Sequence, residues 1–113
     1  MTTTTGLRWE NMRTEESHSV EELLRNAGFA QVAAYRYNSA SIRLRVIDPR
    51  FEGLSIEKRD AMVEPYLEQL PERTQADIIS LFTFAPSEIQ QGSKTFREVY
   101  QNAEFDDPSP SIL

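Results

Sequence analysis

The residue types that most often perform chemistry are sparse in this sequence. Its 113 residues include no cysteine and a single histidine, His18, which excludes disulfides, thiolate metal sites and a cysteine nucleophile. His18 has no partner at metal-ligand spacing, and we interpret it as a solvated surface residue. Adjacent acids such as Glu21 and Glu22 point about 100° apart on a helix and do not converge on a cation. We therefore predict that the protein is not an enzyme and has no catalytic residue, no metal site and no cofactor.

Basic residues form the most suggestive group. Four arginines lie in or beside a predicted hairpin: Arg36, Arg43, Arg45 and Arg50. Arg43 and Arg45 alternate along one strand and therefore project from the same face. Guanidinium groups suit phosphates and carboxylates, and tyrosines on the neighbouring strand offer stacking surfaces. The pattern leaves two interpretations open, which are a nucleic-acid contact and pairing with acids on the second helix or in the loops.

The overall charge bears on these alternatives. Twelve Lys and Arg residues against eighteen Asp and Glu residues give a net charge of −6 and a sequence pI near 4.8. Proteins that bind nucleic acid usually display a basic surface, so this acidity disfavours that role. No apolar run approaches the roughly 18–20 residues needed to cross a bilayer, and the first residues lack the apolar segment of a secretion signal. We expect a cytoplasmic protein without membrane contact.

Hydrophobic periodicity predicts the order helix, strand, strand, helix, strand and then one or two helices. A capping box formed by Ser19 and Glu22 should begin the first helix, and Gly28 should end it. Strands are predicted over residues 30–37 and 41–47, where alternation gives one packed face and one open face. The predicted fold class is α+β, with a three-stranded sheet, helices packed on one face and an extra C-terminal helix.

The second helix should begin at a Ser55 cap. Its apolar residues fall near one side, which leaves Arg59 mainly on the solvent side. Pro65 lies inside this helix and predicts a kink or a break, because proline cannot donate the backbone hydrogen bond of a helix interior.

A third strand is predicted over residues 77–84, with Ile79 and Leu81 on one face and Ile78 on the other. A last helix is predicted within residues 94–105. The predicted division of the chain is a flexible N-terminal arm (1–17), a folded domain (18–91) and a C-terminal helix with a frayed tail (92–113).

An ordered set of motifs spans residues 42–89. It consists of the hydrophobic strand Ile42–Ile47, the triplet Phe51-Glu52-Gly53, a helix with Arg59 and Met62-Val63, a third strand, and then Pro86 and Glu88. In order and spacing this segment resembles the BolA family. The resemblance implies a helix–strand–strand–helix–strand unit similar to the second type of KH domain.

The resemblance implies a regulatory or adaptor role through protein–protein interaction, with a monothiol glutaredoxin as the implied partner. BolA-like proteins typically carry a histidine at the start of the third strand, which helps ligate an iron–sulfur cluster shared with that partner. Asp77 stands at the matching position here, and a carboxylate is a poor ligand for a soft iron site. We therefore expect no metal centre of the protein's own. The expected partner-binding residues are Phe51, Gly53, Arg59 and Asp77, with the Arg43 and Arg45 strand face beside them.

The alternative function is that of a KH-like nucleic-acid-binding domain. It would use the arginine-bearing hairpin, through Arg36, Arg43, Arg45 and Arg50. The acidic net charge makes this the less favoured of the two hypotheses.

Overall fold

A computed structural model of the protein describes residues 8–89 and 96–111. Three strands form one sheet in the order β1-β2-β3, in which β1 and β2 are antiparallel and β2 and β3 are parallel. The strands are β1 (Gln31–Asn38), β2 (Ser41–Ile47) and β3 (Ile78–Phe84). The helices are α1 (Glu15–Asn26), α2 (Ile56–Leu67), α3 (Glu72–Asp77), α4 (Pro86–Ile89) and α5 (Phe96–Asp106), with short 3-10 helices at Arg8–Met12 and Pro49–Phe51. The predicted α+β class and element order are confirmed, and α3 is an element that the sequence did not predict.

The sheet is covered on both faces. On the first face, α1 and α2 pack against alternate strand residues, as predicted. This core contains Val20, Leu24, Phe29, Val32, Ala34, Ile42, Leu44, Val46, Phe51, Val63 and Ala85. On the second face, the N-terminal 3-10 helix and α5 cover the opposite side chains of the strands. This smaller cluster contains Trp9, Ala33, Tyr35 and Phe105, with Met12, Tyr37 and Phe82 packed against it.

The N-terminal segment differs from the flexible arm that the sequence predicted. Trp9 is only 6% exposed, because its ring packs against two aromatic residues of the second face. Helix α1 begins at Glu15, one turn before the predicted cap at Ser19. The reason is an earlier capping box, in which Thr14 accepts from the Ser17 N–H and the Thr14 N–H donates to the Ser17 hydroxyl. Residues 1–7 of the predicted arm lie outside the described residues.

The C-terminal tail also differs from the frayed segment predicted. The Tyr37 hydroxyl donates to the Ser109 carbonyl at 2.6 Å, and the Asn38 amide donates to the Ser111 hydroxyl at 3.1 Å. Pro108 is buried. The described part of the tail therefore packs against the end of the hairpin, while residues 112–113 lie outside the described residues.

Helix α2 follows its predicted start and departs from two other expectations. Ser55 caps it by accepting from the Lys58 N–H at 3.3 Å. The helix runs unbroken through Pro65 to Leu67, so the predicted break does not occur. Arg59 was expected on the solvent side, yet it is 3% exposed, because a ring of acceptors surrounds its guanidinium group.

Strand β3 contains an irregularity that reverses part of the predicted alternation. Its pairing with β2 shifts between Ile42 and Arg43, so that Ile42 pairs with Ile78 and Arg43 pairs with Ser80. The extra residue is Ile79, and a bulge of this kind turns the side chains that precede it to the other face. Ile78 therefore packs on the first face, while Ile79 is 69% exposed.

Candidate protein-interaction site

The connector between β2 and α2 is exposed along most of its length but is anchored at its start. Asp48 accepts from the Arg50 N–H at 2.8 Å and from the Ala30 N–H at 2.9 Å. Burial by itself would raise the pKa of Asp48, but hydrogen bonds from the Arg50 side chain and from these two backbone groups outweigh it and lower the pKa. Asp48 is therefore a charged residue that links the start of β1 to the end of β2.

Phe51 and Gly53 shape the turn that follows. Phe51 is fully buried, and its ring centroid lies 6.2 Å from that of Phe29. Gly53 has φ +74°, a left-handed conformation that side chains disfavour. The chain then runs along the surface. All of residues 52–58 are exposed except the half-buried Leu54. We call residues 52–58 the connector loop, although its last three residues form the first turn of α2.

Arg59 holds the end of the connector loop in place through its hydrogen bonds. Its Nε donates to the Leu54 carbonyl at 3.0 Å, and its Nη1 donates to the Thr83 carbonyl at 3.0 Å. Its two terminal nitrogens each reach a carboxylate oxygen of Glu88 at 2.7 Å. Glu52 in turn accepts from the Ser87 hydroxyl at 2.8 Å. The loop is thus attached both to β3 and to α4, at the carboxyl ends of β2 and β3.

Asp77 lies at the other end of the sheet from Phe51, Gly53 and Arg59. It directly precedes β3, whose start pairs with the start of β2, and seven strand residues correspond to about 20 Å. Asp77 Oδ2 accepts from Arg36 at 2.9 Å, and the same guanidinium group lies 2.8 Å from Glu16. The structure therefore brings together three of the four residues expected to bind a partner and separates the fourth.

The position of Asp77 does not fit an iron–sulfur cluster. Its carboxylate is already paired with the Arg36 guanidinium group, a carboxylate is a poor ligand for a soft iron site, and the chain contains no cysteine. No set of three or more His, Asp or Glu side chains converges as a metal site in residues 8–89 and 96–111. We therefore derive no chemistry through such a cluster.

The hairpin arginines face other parts of the same chain. Arg43 Nη1 lies 3.1 Å from Glu104, and Arg45 Nη1 lies 2.7 Å from Asp106, so both bind α5. The Arg43 guanidinium group also stacks on Tyr37, with its carbon 3.8 Å from the ring centroid. Of the two interpretations of the arginines, the structure shows pairing within the chain. Arg43 and Arg45 pair with α5 rather than with the second helix or the loops.

Hydrogen bonds to Glu104 also tie α5 to the tail. Burial by itself would raise the pKa of Glu104, but donors on Ser109 and the Arg43 side chain outweigh it, and the pKa is lowered. Arg50 pairs with Asp48 at 3.0 Å. None of the four hairpin arginines is therefore an unpaired cation.

On the side chains that the structure describes, the charge that is not in an ion pair is mostly negative. Arginines with a carboxylate within 3.8 Å are Arg13, Arg25, Arg36, Arg43, Arg45, Arg50 and Arg59. Among the side chains that the structure describes, the cations without an ion pair are Lys58 and Arg73. Glu57 and Glu64 of helix α2, and Glu68 directly after it, are exposed and have no basic partner in the described region. The described surface therefore has no basic patch.

Sequence reasoning missed three residues that hold the site and the sheet in place. Glu88 was predicted only as part of a turn motif, and Trp9 was assigned to the arm. Glu21 was considered only as one of two adjacent acids that do not converge on a cation, yet it is fully buried and accepts from Arg13 at 3.0 Å and from the Ala34 N–H at 2.8 Å. His18 is exposed, as predicted. The sequence offered one signal for the burial of Glu21, which is its position next to Val20 on the inner side of α1.

The arrangement of the elements can be compared with known proteins. A solved structure, BolA1 from Arabidopsis thaliana, superposes with a TM-score of 0.53 at 15% sequence identity, covering 68% of this chain and 99% of that chain. The fold is BolA-like. No protein-family model and no curated protein matches the sequence. No described helix is both long enough and apolar enough to cross a membrane. The structural likeness therefore identifies the fold and leaves the function to be argued from the site.

Proposed function

We propose that this BolA-like domain is a non-enzymatic adaptor that acts through protein–protein interaction, with the connector loop as its contact surface. The proposal rests on one observation: buried residues hold an exposed loop in place at both of its ends. Phe51 and Arg59 do not touch the partner in this proposal. They fix the loop, and Gly53 supplies its turn.

A fixed loop suits recognition because little conformational freedom is lost when it binds. Its exposed groups combine an apolar side chain, Ile56, with charges of both signs on Glu57 and Lys58. A partner with a small apolar depression and mixed charge would match this surface. Asp77 lies too far from the connector loop to contact the same partner. Its role in this proposal is structural, through its ion pair with Arg36.

The resemblance in sequence to the BolA family implies a monothiol glutaredoxin, which is therefore the first partner to test. The interaction proposed is a protein contact without a shared cluster, because the Asp77 position does not fit one. The nucleic-acid alternative is disfavoured, because Arg43 and Arg45 are bound to α5 and no basic patch remains on the described surface.

A titration followed by nuclear magnetic resonance tests this proposal. Adding metal-free monothiol glutaredoxin to the labelled chain should shift the amide signals of residues 52–58 first. Lys58→Glu should weaken binding about fivefold, equivalent to about 1 kcal/mol. Arg73→Glu is the matched control, since Arg73 is also an exposed cation without an ion pair in the described region.

Equal losses in the two variants, or shifts concentrated outside residues 52–58, would contradict the proposed surface. Absence of any binding would remove this class of partner from the proposal.

A further inference from the structure

The two edges of the sheet differ in how their backbone groups are satisfied. Helix α1 covers the outer side of β1, where Glu21 accepts from the Ala34 N–H at 2.8 Å and Arg25 donates to the Val32 carbonyl at 3.0 Å. Open backbone groups at a sheet edge can pair with a strand of another chain, and cover of this kind prevents such pairing. The outer side of β1 is therefore closed to a further strand.

In the described part of the chain, the outer side of β3, which we call the β3 edge, is covered at one end only. The Phe84 carbonyl accepts from the Asp48 N–H, so the backbone groups of Phe84 point towards β2. These groups alternate in direction along a strand, so those of Thr83 and Leu81 point outwards. Arg59 donates to the Thr83 carbonyl at 3.0 Å. The outward N–H and carbonyl of Leu81 have no hydrogen bond to any described residue.

The composition of β3 also leaves this edge unprotected. Proteins commonly protect an edge strand with charged residues or proline, but Ile78–Phe84 contains neither. Ile79 is 69% exposed, the highest value among the large hydrophobic residues described. The bulge at Ile79 interrupts regular pairing, so a further strand would be short and centred on Leu81.

A second copy of the chain fits this edge poorly. Two-fold antiparallel pairing centred on Leu81 would place Ile79 of one copy opposite Thr83 of the other. The Thr83 carbonyl already accepts from Arg59. The net charge of −6 also makes two copies repel each other. These observations favour an extended segment of a different protein that carries positive charge.

Helix α2 places a carboxylate level with Leu81. Because β2 and β3 are parallel, the helical connection between them runs back along the sheet. Glu64 follows Arg59 by five residues of helix, about 7 Å, and Leu81 precedes Thr83 by two residues of strand, also about 7 Å. Since Arg59 binds Thr83, Glu64 lies level with Leu81.

Glu64 also lies on the side of α2 away from β1. Val63 faces the core, and the Tyr66 ring contacts that of Phe29, two residues before β1. At about 100° per residue, Tyr66 and Glu64 lie on opposite sides of Val63. Glu64 is exposed and has no basic partner in the described region, so it is available to a charge on a strand added to the β3 edge.

We propose that the β3 edge binds a short extended segment of another protein, antiparallel to β3, with a basic residue opposite Leu81. The Leu81 N–H donates to the backbone of this residue and the Leu81 carbonyl accepts from it, as in strand addition. Directly opposite residues project from the same face, so the basic side chain extends towards Glu64. Uncharged β-branched neighbours suit the uncharged strand. The connector loop is not part of this edge, so the inference does not rest on the proposed function.

Amide hydrogen exchange of the full-length chain provides the first test. The Leu81 N–H should exchange about tenfold faster than the Phe82 N–H, which points towards β2. The probe is the peptide acetyl-Thr-Val-Lys-Val-Thr-amide, which should slow exchange at Leu81 and shift the amide signals of residues 79–83 saturably. The same peptide with a methyl group on the lysine backbone nitrogen cannot donate there and should not bind. Equal exchange at Leu81 and Phe82 in the free chain, or equal binding of the methylated peptide, would overturn the proposal.

Charge variants provide the matched comparison. Glu64→Gln should weaken peptide binding about threefold, whereas Glu22→Gln, an exposed carboxylate on α1, should leave it unchanged. Replacing the lysine of the peptide by glutamate should weaken binding more strongly. Equal losses in the two variants, equal binding of the two peptides, or no binding at all would contradict the assignment. Protection of Leu81 that appears only as the chain concentration rises would assign the edge to a second copy and would overturn it as well.

Discussion

Arg59 and Glu88 form a two-armed ion pair, with both nitrogen–oxygen distances at 2.7 Å, that joins α2 to α4. Glu88 also accepts from the Ala85 N–H at 2.9 Å, and Arg59 donates to the carbonyl groups of Leu54 and Thr83. A buried guanidinium group is tolerated only when its donors are bonded. The pair therefore satisfies a charge in the core while it fixes the connector loop.

Breaking this pair should destabilise the fold. We expect Arg59→Met to lower the free energy of unfolding by about 3 kcal/mol, because it leaves Glu88 without its partner. Glu88→Gln should cost about 1.5 kcal/mol. Urea unfolding of both single variants and the double variant measures their coupling, for which we expect about 1 kcal/mol or more. Lys58→Met, on the exposed neighbour, is the control, and an equal loss there would contradict this account.

Truncating Trp9 tests whether the N-terminal segment belongs to the core. Trp9→Ala should cost about 3 kcal/mol in urea unfolding, as large core truncations do. Trp9→Phe should cost less than about 1.5 kcal/mol, because the indole N–H is buried without a hydrogen-bond partner in the described region. A loss below about 0.5 kcal/mol for Trp9→Ala would instead support the flexible arm that the sequence predicted.

The pH dependence of stability follows from the lowered pKa of Asp48. Because this pKa is lower in the folded chain than its ordinary value of 3.8, folding favours the ionised form. The resulting stability is present above the ordinary value and is lost as the pH falls through the folded-state pKa.

Asp48→Asn should therefore cost about 2 kcal/mol at about pH 7, and its difference from the unmodified chain should shrink below pH 3.8. Urea unfolding at several pH values measures this. Glu68→Gln is the control for general charge effects. A pH-independent Asp48→Asn difference would show that the charge of Asp48 does not contribute.

The nucleic-acid hypothesis leads to a prediction of its own. Single-stranded oligonucleotides should show no saturable binding by fluorescence anisotropy at low salt, because Arg43 and Arg45 are bound to α5. Arg43→Ala should instead lower the free energy of unfolding by about 1–2 kcal/mol through its lost hydrogen bonds. Salt-sensitive binding that disappears in Arg43→Ala, with stability unchanged, would restore the alternative function.

Local features of the chain were predicted from the sequence because they depend on neighbouring residues. The alternation of Ile42, Leu44 and Val46 predicted β2 and its packed face, and Ser55 predicted the start of α2. Gly28, with φ +101°, ends α1 as expected. The β3 bulge escaped prediction, because the pairing with β2 decides where an extra residue is placed.

Tertiary structure alone decided which charges are free. Arg59 finds Glu88 29 residues away, and Arg43 finds Glu104 61 residues away. Net charge and strand alternation are the same whether an arginine faces water or a carboxylate. The sequence by itself thus determined the order of elements and the BolA-like motif. Long-range packing of the two terminal segments on the second face determined that Arg43 and Arg45 are internal partners and that the unpaired charge on the described side chains is largely acidic.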